Sequence, residues 1–103
     1  MDTWDVTFSN RAAKDRKKLR TNIQILVDFL AKEIASAGPY RTNWPHYGPL
    51  YKDKKKNIPE NAFHCHIKGG NPTYVICWYL TDKKNKKVEI FYVGTHENAP
   101  YQD

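Results

Sequence analysis

The chain has 103 residues, which is enough for one domain around one hydrophobic core but not for two. Hydrophobic residues make up 40% of it, which excludes a disordered chain, and the formal net charge of +6 favours a polyanionic partner such as RNA, DNA or an acidic protein. Residues 11–20, 52–56 and 83–87 hold six, four and four of the 17 lysines and arginines. One such stretch is typical of a solvated surface, whereas three in a small domain favour a surface that contacts phosphates.

Two features bear on the compartment of the protein. Residues 1–5 have neither the basic nor the apolar region of a signal peptide, and no apolar run approaches the length of a membrane span. We therefore expect a cytoplasmic protein without membrane association. In that reducing compartment Cys65 and Cys77 are expected to be buried free thiols, with a cross-strand disulfide as the alternative.

The first part of the chain predicts one strand and two helices. Residues 4–9 alternate between apolar and polar and predict the strand, after which Ser9 or Asn10 can cap a helix that ends near residue 19. A second helix begins near residues 21–22 and ends at Gly38-Pro39, because proline cannot continue a helix. The second helix carries an apolar stripe at helical spacing: Ile23, Leu26, Val27, Leu30 and Ile34.

The second part predicts an irregular segment and a three-stranded meander. Residues 39–61 contain four prolines, and a loop this long in a compact domain is often functional. Strands are expected over 62–68, 73–81 and 88–95. Gly69-Gly70-Asn71 forms the first hairpin turn, and a lysine-rich loop forms the second.

Histidines are concentrated in this second part of the chain. Because side chains alternate along a strand, Phe63, Cys65 and Ile67 should face the core, while His64, His66 and Lys68 share the other face. A three-residue turn centred on Asn71 would pair Cys65 with Cys77, His66 with Ile76 and His64 with Trp78. That register places the Trp78 ring beside the histidines. His96 directly follows the last strand, and His46 lies in the irregular segment.

These residue types suit the cleavage of RNA. A base must take the proton of the 2′-hydroxyl that attacks the phosphate, and an acid must protonate the leaving 5′-oxygen. Histidine, with a pKa of about 6.5, can do either near neutral pH. Lysines can stabilise the charge on the phosphate, and an aromatic ring can stack on an unpaired base.

Plainer explanations of the same residues stay open. His64 and His66 can be ordinary exposed strand residues, and Trp78 can pack under a loop rather than stack on a base. A zinc site made of His64, Cys65 and His66 is disfavoured because Cys65 points to the opposite face of the strand.

At these residues the sequence resembles the RelE/ParE superfamily of toxin–antitoxin toxins. The resemblance covers nearly the whole chain and includes the first strand, a basic helical hairpin that opens with residues 8–15, and the meander. It implies a ribosome-dependent mRNA endonuclease, or a gyrase inhibitor as in the ParE branch, that an antitoxin neutralises.

Short motifs are most similar to the YafQ-like branch. Gly94-Thr95-His96 resembles the end of that branch's last strand, where the histidine is catalytic, and His66 matches its histidine before the hairpin. His46, followed by Tyr47-Gly48-Pro49-Leu50, resembles the branch's histidine ahead of a Pro-Leu segment, and Tyr101 approximates its closing aromatic residue. Two features are missing: the arginine that many RelE-like nucleases carry on the second meander strand, and the Asp-Trp pair that the YafQ-like branch has after His66.

We therefore predict a single RelE/ParE-like toxin domain over residues 1–103. The fold class is α+β and RelE-like, with two helices from the N-terminal half packed on a four-stranded, mostly antiparallel sheet. The expected function is ribosome-dependent mRNA cleavage by acid–base chemistry without metal or other cofactor. The expected partners are a cognate antitoxin, the ribosome and mRNA. The alternatives are a non-enzymatic ParE-like toxin that binds DNA gyrase, and a basic RNA- or protein-binding module.

The site residues follow from the histidine pattern together with the resemblance. His96 is expected to be the general acid and His66 or His46 the general base, with Tyr101 completing the catalytic set. The residues expected to bind or position RNA are Lys52, Lys54, Lys55, Lys56, His64, Lys68 and Trp78.

Overall fold

The computed structural model describes residues 3–102. Met1 and Asp2, part of the segment considered for a signal peptide, lie outside this range, as does Asp103. The elements are β1 (Asp5–Phe8), α1 (Asn10–Lys18), α2 (Thr21–Ala37), β2 (Gly48–Leu50), β3 (Ala62–Lys68), β4 (Tyr74–Asp82), β5 (Lys87–Thr95) and a 3₁₀ turn (His96–Asn98). None of the helices within residues 3–102 has the length and apolar character to cross a membrane.

The ends of both helices are set by the residues that the sequence indicated. The Ser9 hydroxyl accepts a hydrogen bond from the Ala12 backbone N–H at 3.1 Å, which caps α1. After α2, Gly38 has a φ of 99°, and a Cβ there would lie 3.2 Å from Nε1 of Trp4. Glycine therefore allows both the turn and the close approach of the tryptophan.

The sheet has five strands in the order β1-β5-β4-β3-β2, so the predicted number of four is wrong. The additional strand, β2, pairs antiparallel with β3 at the edge of the sheet. It lies within the segment predicted as irregular, because three residues centred on Pro49 show no alternation and proline cannot donate to a ladder. The prediction of a mostly antiparallel sheet is confirmed, since only β1, which runs parallel to β5, departs from it.

The predicted β3–β4 register is off by one residue. Lys68 pairs with Tyr74 beside the turn, but a bulge between His66 and Lys68 shifts all later pairs. His64 therefore lies opposite Cys77, and Phe63 lies opposite Trp78. Because a one-residue shift moves a side chain to the other face, Trp78 belongs to the core and not to the histidine surface.

The core lies between the two helices and one face of the sheet. Four of the five stripe residues of α2 are fully buried, and Leu26 packs partly buried against them. Cys65 and Cys77 are both buried, and both are free thiols, as expected. Burial raises the pKa of Cys65 to about 12, so its thiol stays protonated. The other face of the sheet carries His64 and His66, and residues 96–102 reach across it.

Candidate active site

All four histidines of the chain and Tyr101 form one cluster on the sheet face opposite the core. The ring centroids of His46 and His66 lie 4.1 Å apart in a stacked arrangement, and those of His66 and His96 lie 5.1 Å apart, edge to face. The Tyr101 ring lies 4.6 Å from the His64 ring and 5.8 Å from the His96 ring. His46, His66 and His96, to which the sequence analysis assigned the acid and base roles, thus lie side by side; those roles stay a prediction.

His46 is brought to β3 by a backbone hydrogen bond from the strand to the loop. The His66 N–H donates to the carbonyl of Pro45 at 2.8 Å. Because His46 follows Pro45, this hydrogen bond places the His46 ring over the His66 ring. His46 itself has a φ of 55°. Such a left-handed conformation disfavours residues with a Cβ, so packing and the hydrogen bond must hold it in place.

Glu33 of α2 anchors the segment that leads to His46. Its Oε1 accepts hydrogen bonds from Arg41 at 2.7 Å, from Trp44 at 2.9 Å and from Asn43 at 3.3 Å. Burial alone would raise the pKa of Glu33, but these three donors lower it on balance. A charged carboxylate on the longest helix therefore fixes residues 41–44, and through them the position of His46.

His96 is held by the ends of two strands. Its backbone N–H donates to the carbonyl of Thr73, just before β4, at 2.8 Å. Two residues earlier, Gly94 leaves room for Tyr92 to fold back and donate its hydroxyl to the carbonyl of Thr95 at 2.7 Å. A Cβ on Gly94 would lie 2.8 Å from that hydroxyl oxygen, so the close approach requires glycine.

The electrostatics of the cluster favour neutral imidazoles on β3. Burial lowers the pKa of His64, and the other three histidines lower it further. Burial also lowers the pKa of His66, with added contributions from His46 and His96. Burial raises the pKa of Tyr101, so its hydroxyl remains a hydrogen-bond donor throughout the physiological range.

Two polar atoms of the cluster are buried without a partner among the described residues: Nδ1 of His64 and the hydroxyl oxygen of Tyr101. Buried polar atoms are normally hydrogen-bonded, and the exceptions often lie at functional sites. A ligand or a water molecule can reach either atom only if the side chains that cover it move.

Gln102 is a site residue that the sequence reasoning missed. Its side-chain amide nitrogen lies 2.9 Å from both ring nitrogens of His96. The contact depends on how the C-terminal segment folds back, and no local sequence pattern indicates it. The contact covers the ring nitrogens of His96 with the Gln102 amide.

An open pocket of about 410 Å³ lies beside His96. It is lined by the β3–β4 turn on one side and by the C-terminal segment on the other, through Asn71, Pro72, Thr73, Thr95, Glu97 and Gln102. A single nucleotide is of a size that fits such a pocket. The pocket therefore makes His96 accessible from the surface.

Several residues predicted for RNA binding lie outside the cluster. Trp78 is fully buried and donates its indole N–H to the carbonyl of Pro39 at 3.0 Å, so it cannot stack on a base. Lys68, beyond the bulge, lines a different pocket together with Arg20 and Asn22, and not the histidine surface. Lys52 pairs with Glu60 at 3.4 Å, with both side chains exposed.

The remaining predicted lysines, Lys54, Lys55 and Lys56, lie in a turn closed by a bridge between Asp53 and Ile58. Cys65, which was disfavoured as a metal ligand because it alternates to the opposite face from His64 and His66, is buried in the core. Within residues 3–102, no three histidine, cysteine or acidic side chains form a group that could hold a metal ion.

The fold has a counterpart among solved structures. No protein-family model matches the sequence, and comparison with curated proteins finds no match. A chain of the crystal structure of the archaeal RelE–RelB complex from Pyrococcus horikoshii OT3 superimposes with a TM-score of 0.63, covering 95% of this chain and 100% of that chain at 11% identity. At this identity the likeness concerns the fold. The protein therefore has the RelE-like α+β fold that the sequence predicted, with one more strand.

Proposed function

We propose that the protein is the toxin of a toxin–antitoxin system and cleaves mRNA on the ribosome by acid–base chemistry, as in the YafQ-like branch of the RelE/ParE superfamily. One observation carries the proposal: His46, His66 and His96 lie in ring-to-ring contact on the surface of a RelE-like fold. Two imidazoles at this separation can serve one phosphate as base and acid.

The reaction can be written with the residues of the cluster. His66 or His46 takes the proton of the 2′-hydroxyl, and the resulting oxygen attacks the adjacent phosphorus. The bond from phosphorus to the 5′-oxygen breaks, and His96 gives that oxygen a proton. The products are a 2′,3′-cyclic phosphate, which water can open to a 3′-phosphate, and a 5′-hydroxyl. The lowered pKa of His66 suits the base, because the base must start neutral.

Other residues of the cluster bind the substrate in this proposal. The Tyr101 hydroxyl, protonated and buried without a partner in the described chain, can donate to a phosphate oxygen once the side chains that cover it move aside. His64 lies against it and positions the RNA. Lysines 52 and 54–56 contact phosphates of the mRNA or ribosome outside the cluster.

An antitoxin and the ribosome are the proposed macromolecular partners. The structural neighbour was crystallised as a RelE–RelB complex, which supports a protein partner for the same fold here. An exposed site that cleaves RNA needs such a partner to keep it silent. The ribosome would present the mRNA in an extended form and complete the site.

The test is expression of histidine variants in cells, with cleaved transcripts mapped and the thermal melt of each variant measured. A positioned acid contributes roughly a hundredfold to ten-thousandfold in rate, so His96→Gln should fold normally and lose most growth inhibition and mRNA cleavage. His66→Gln should also lose activity. The double variant should lose much less than the product of the two losses, because the groups act together.

Lys84→Gln, at the exposed β4–β5 hairpin, is the matched control and should remain toxic. A folded His96→Gln variant that is still fully toxic would contradict the nuclease and favour gyrase binding. Loss of toxicity only in variants that also melt early would assign the histidines to packing.

A further inference from the structure

A second pocket, of about 440 Å³, is bordered by the C-terminal segment through Asn98 and Pro100. It is lined by Arg11, Lys56, Asn57, Phe91, Tyr92 and Asn98. The two cations come from separate elements, α1 and the turn closed by Asp53 and Ile58. Among the described residues, no acidic side chain lines this pocket.

This pocket is continuous with the histidine surface. A further depression shares Thr95 with the pocket beside His96, and it shares Arg11, Tyr92 and Asn98 with the second pocket. Asp15, the ion-pair partner of Arg11, also lines it. A ligand chain can therefore run from His96 past the 3₁₀ turn to Arg11 without leaving the surface.

A bulge in β5 supplies the aromatic wall of this pocket. Cys77 pairs with Tyr92 and Trp78 pairs with Ile90, so Phe91 is the extra residue between the two pairs. Consecutive residues of a regular strand point to opposite faces, whereas a bulge re-aims one of them. As a result, Phe91 and Tyr92 line the same pocket. The Phe91 ring packs edge-on against Tyr79, which holds it in place.

Arg11 is presented outward. The Arg11 side chain is 85% exposed, and its ion pair with Asp15 is long, at 3.7 Å. Asp53 Oδ1 accepts the backbone N–H groups of Lys55 and Lys56 at 3.0 and 3.3 Å, which fixes the turn that carries the lysine. A phosphate between the two cations could engage both.

We propose that this second pocket binds one nucleotide of single-stranded RNA next to the phosphate that the histidines cleave. Its base stacks on Phe91, the Asn57 and Asn98 amides contact base edges, and Arg11 and Lys56 bind the backbone phosphate. The combination of aromatic faces with cations in one groove is that of sequence-tolerant single-strand binding. The inference rests on the proposed function, since it assigns a neighbouring subsite to the same RNA.

The experiment measures binding of fluorescein-labelled 2′-O-methyl RNA by fluorescence anisotropy at low salt, using the full chain. The blocked 2′-oxygen prevents cleavage, so only binding is measured. A probe of three nucleotides should bind more tightly than one of two, because only the longer probe reaches the second pocket. Phe91→Leu and Arg11→Gln should each weaken binding of the longer probe about fivefold or more and leave the shorter one unchanged, since stacking on a ring is worth about 1–3 kcal/mol per base.

Lys84→Gln is the control for loss of a distant charge, and it should change the binding of the two probes by the same small factor. Equal binding of the two probes by the unmodified chain, or full affinity in both variants, would overturn the inference. Arg11→Gln is an exposed change, so it remains informative even if Phe91→Leu melts early. The measurement is independent of cleavage: a toxic His96→Gln variant would remove the proposed reaction, whereas these binding results would still decide whether the pocket holds RNA.

Discussion

His46 has a backbone conformation that most residues avoid, and it is the histidine furthest from a regular strand. Its φ of 55° costs a residue with a Cβ about 1–2 kcal/mol relative to glycine. Glycine loses part of that advantage, about 0.4–1 kcal/mol, because it makes the unfolded chain more flexible. The chain therefore retains a strained residue whose imidazole stacks on His66. This is the pattern expected of a position kept for its side chain.

This backbone strain predicts that glycine at position 46 is more stabilising than alanine, which reverses the usual order. His46→Gly should be more stable than His46→Ala by up to about 1 kcal/mol, because both lose the imidazole but only glycine relieves the backbone. Both variants should lose RNA cleavage to the same extent. Thermal melts and transcript mapping on the pair check this. An alanine variant more stable than the glycine variant would contradict the left-handed conformation.

The imidazoles of β3 also predict how stability depends on pH. Burial lowers the pKa of His64 and of His66 in the folded chain, whereas unfolding returns both to about 6.5. Below that pH the unfolded chain binds protons that the folded chain does not. The contribution of these two histidines to the free energy of unfolding is therefore fully present above about pH 6.5. It is lost as the pH falls from that value toward their lower pKa in the folded chain.

The measurement is the melting temperature between pH 7.5 and pH 5.5, above the range in which carboxylates titrate. His64→Gln should reduce the fall in melting temperature between pH 7.5 and pH 5.5. The same substitution should change the melting temperature at pH 7.5 less than it changes the melting temperature at pH 5.5. A melting temperature that rises on acidification over this range would show that the cluster is stabilised by protonation, contrary to our account.

At the scale of elements, the end of β5 controls where His96 lies. Gly94→Ala would place a Cβ 2.8 Å from the Tyr92 hydroxyl oxygen, so the ring must move and its hydrogen bond to Thr95 is lost. We expect a loss of about 1–2 kcal/mol in the free energy of unfolding. Cleavage should fall further than this loss explains, because His96 follows Thr95 directly.

Tyr92→Phe provides the control for this change. It removes the hydroxyl without the added methyl group, so Gly94→Ala combined with Tyr92→Phe should be less destabilised than the sum of the single changes. Strictly additive losses in denaturant melts would mean that the two side chains do not compete for the same space.

Local chemistry made most of the elements predictable. The Ser9 cap, the apolar stripe of α2 and the glycine after it act within one helix, and each is where the sequence placed it. β2 was not predicted because it has only three residues and one of them, Pro49, is unfavourable in a strand. The β3–β4 register was wrong by one residue because no sequence pattern indicates the bulge in β3. That single shift also misplaced Trp78.

The sequence predicted the residue types of the candidate site better than it predicted the contacts that hold those residues in place. Alternation along β3 placed His64 and His66 on one face, and the proximity of His46 and His96 came from resemblance. Glu33 accepts hydrogen bonds from a loop about ten residues further along the chain. Gln102 contacts His96 only because the last residues of the described chain fold back. Only tertiary structure shows them.

At the scale of the whole molecule, the candidate chemistry lies at one end of β5. The nine residues of β5 span about 26 Å at about 3.3 Å per residue, so His96 and the lysine-rich β4–β5 turn are separated by the length of that strand. The basic turn is thus too far away to touch the phosphate at the histidines. It can still add to the general attraction of RNA that the net charge of +6 provides.

The chemistry of the cut ends tests the central claim most directly. Transcripts from cells that express the protein should be sequenced by methods specific for 5′-hydroxyl and for 2′,3′-cyclic or 3′-phosphate ends, with His96→Gln as the comparison. We expect new ends of these types within translated regions, and their loss in the variant, because attack by the 2′-hydroxyl leaves no 5′-phosphate. New cuts that carry 5′-phosphate and 3′-hydroxyl ends, or unchanged cutting by His96→Gln, would contradict the histidine mechanism.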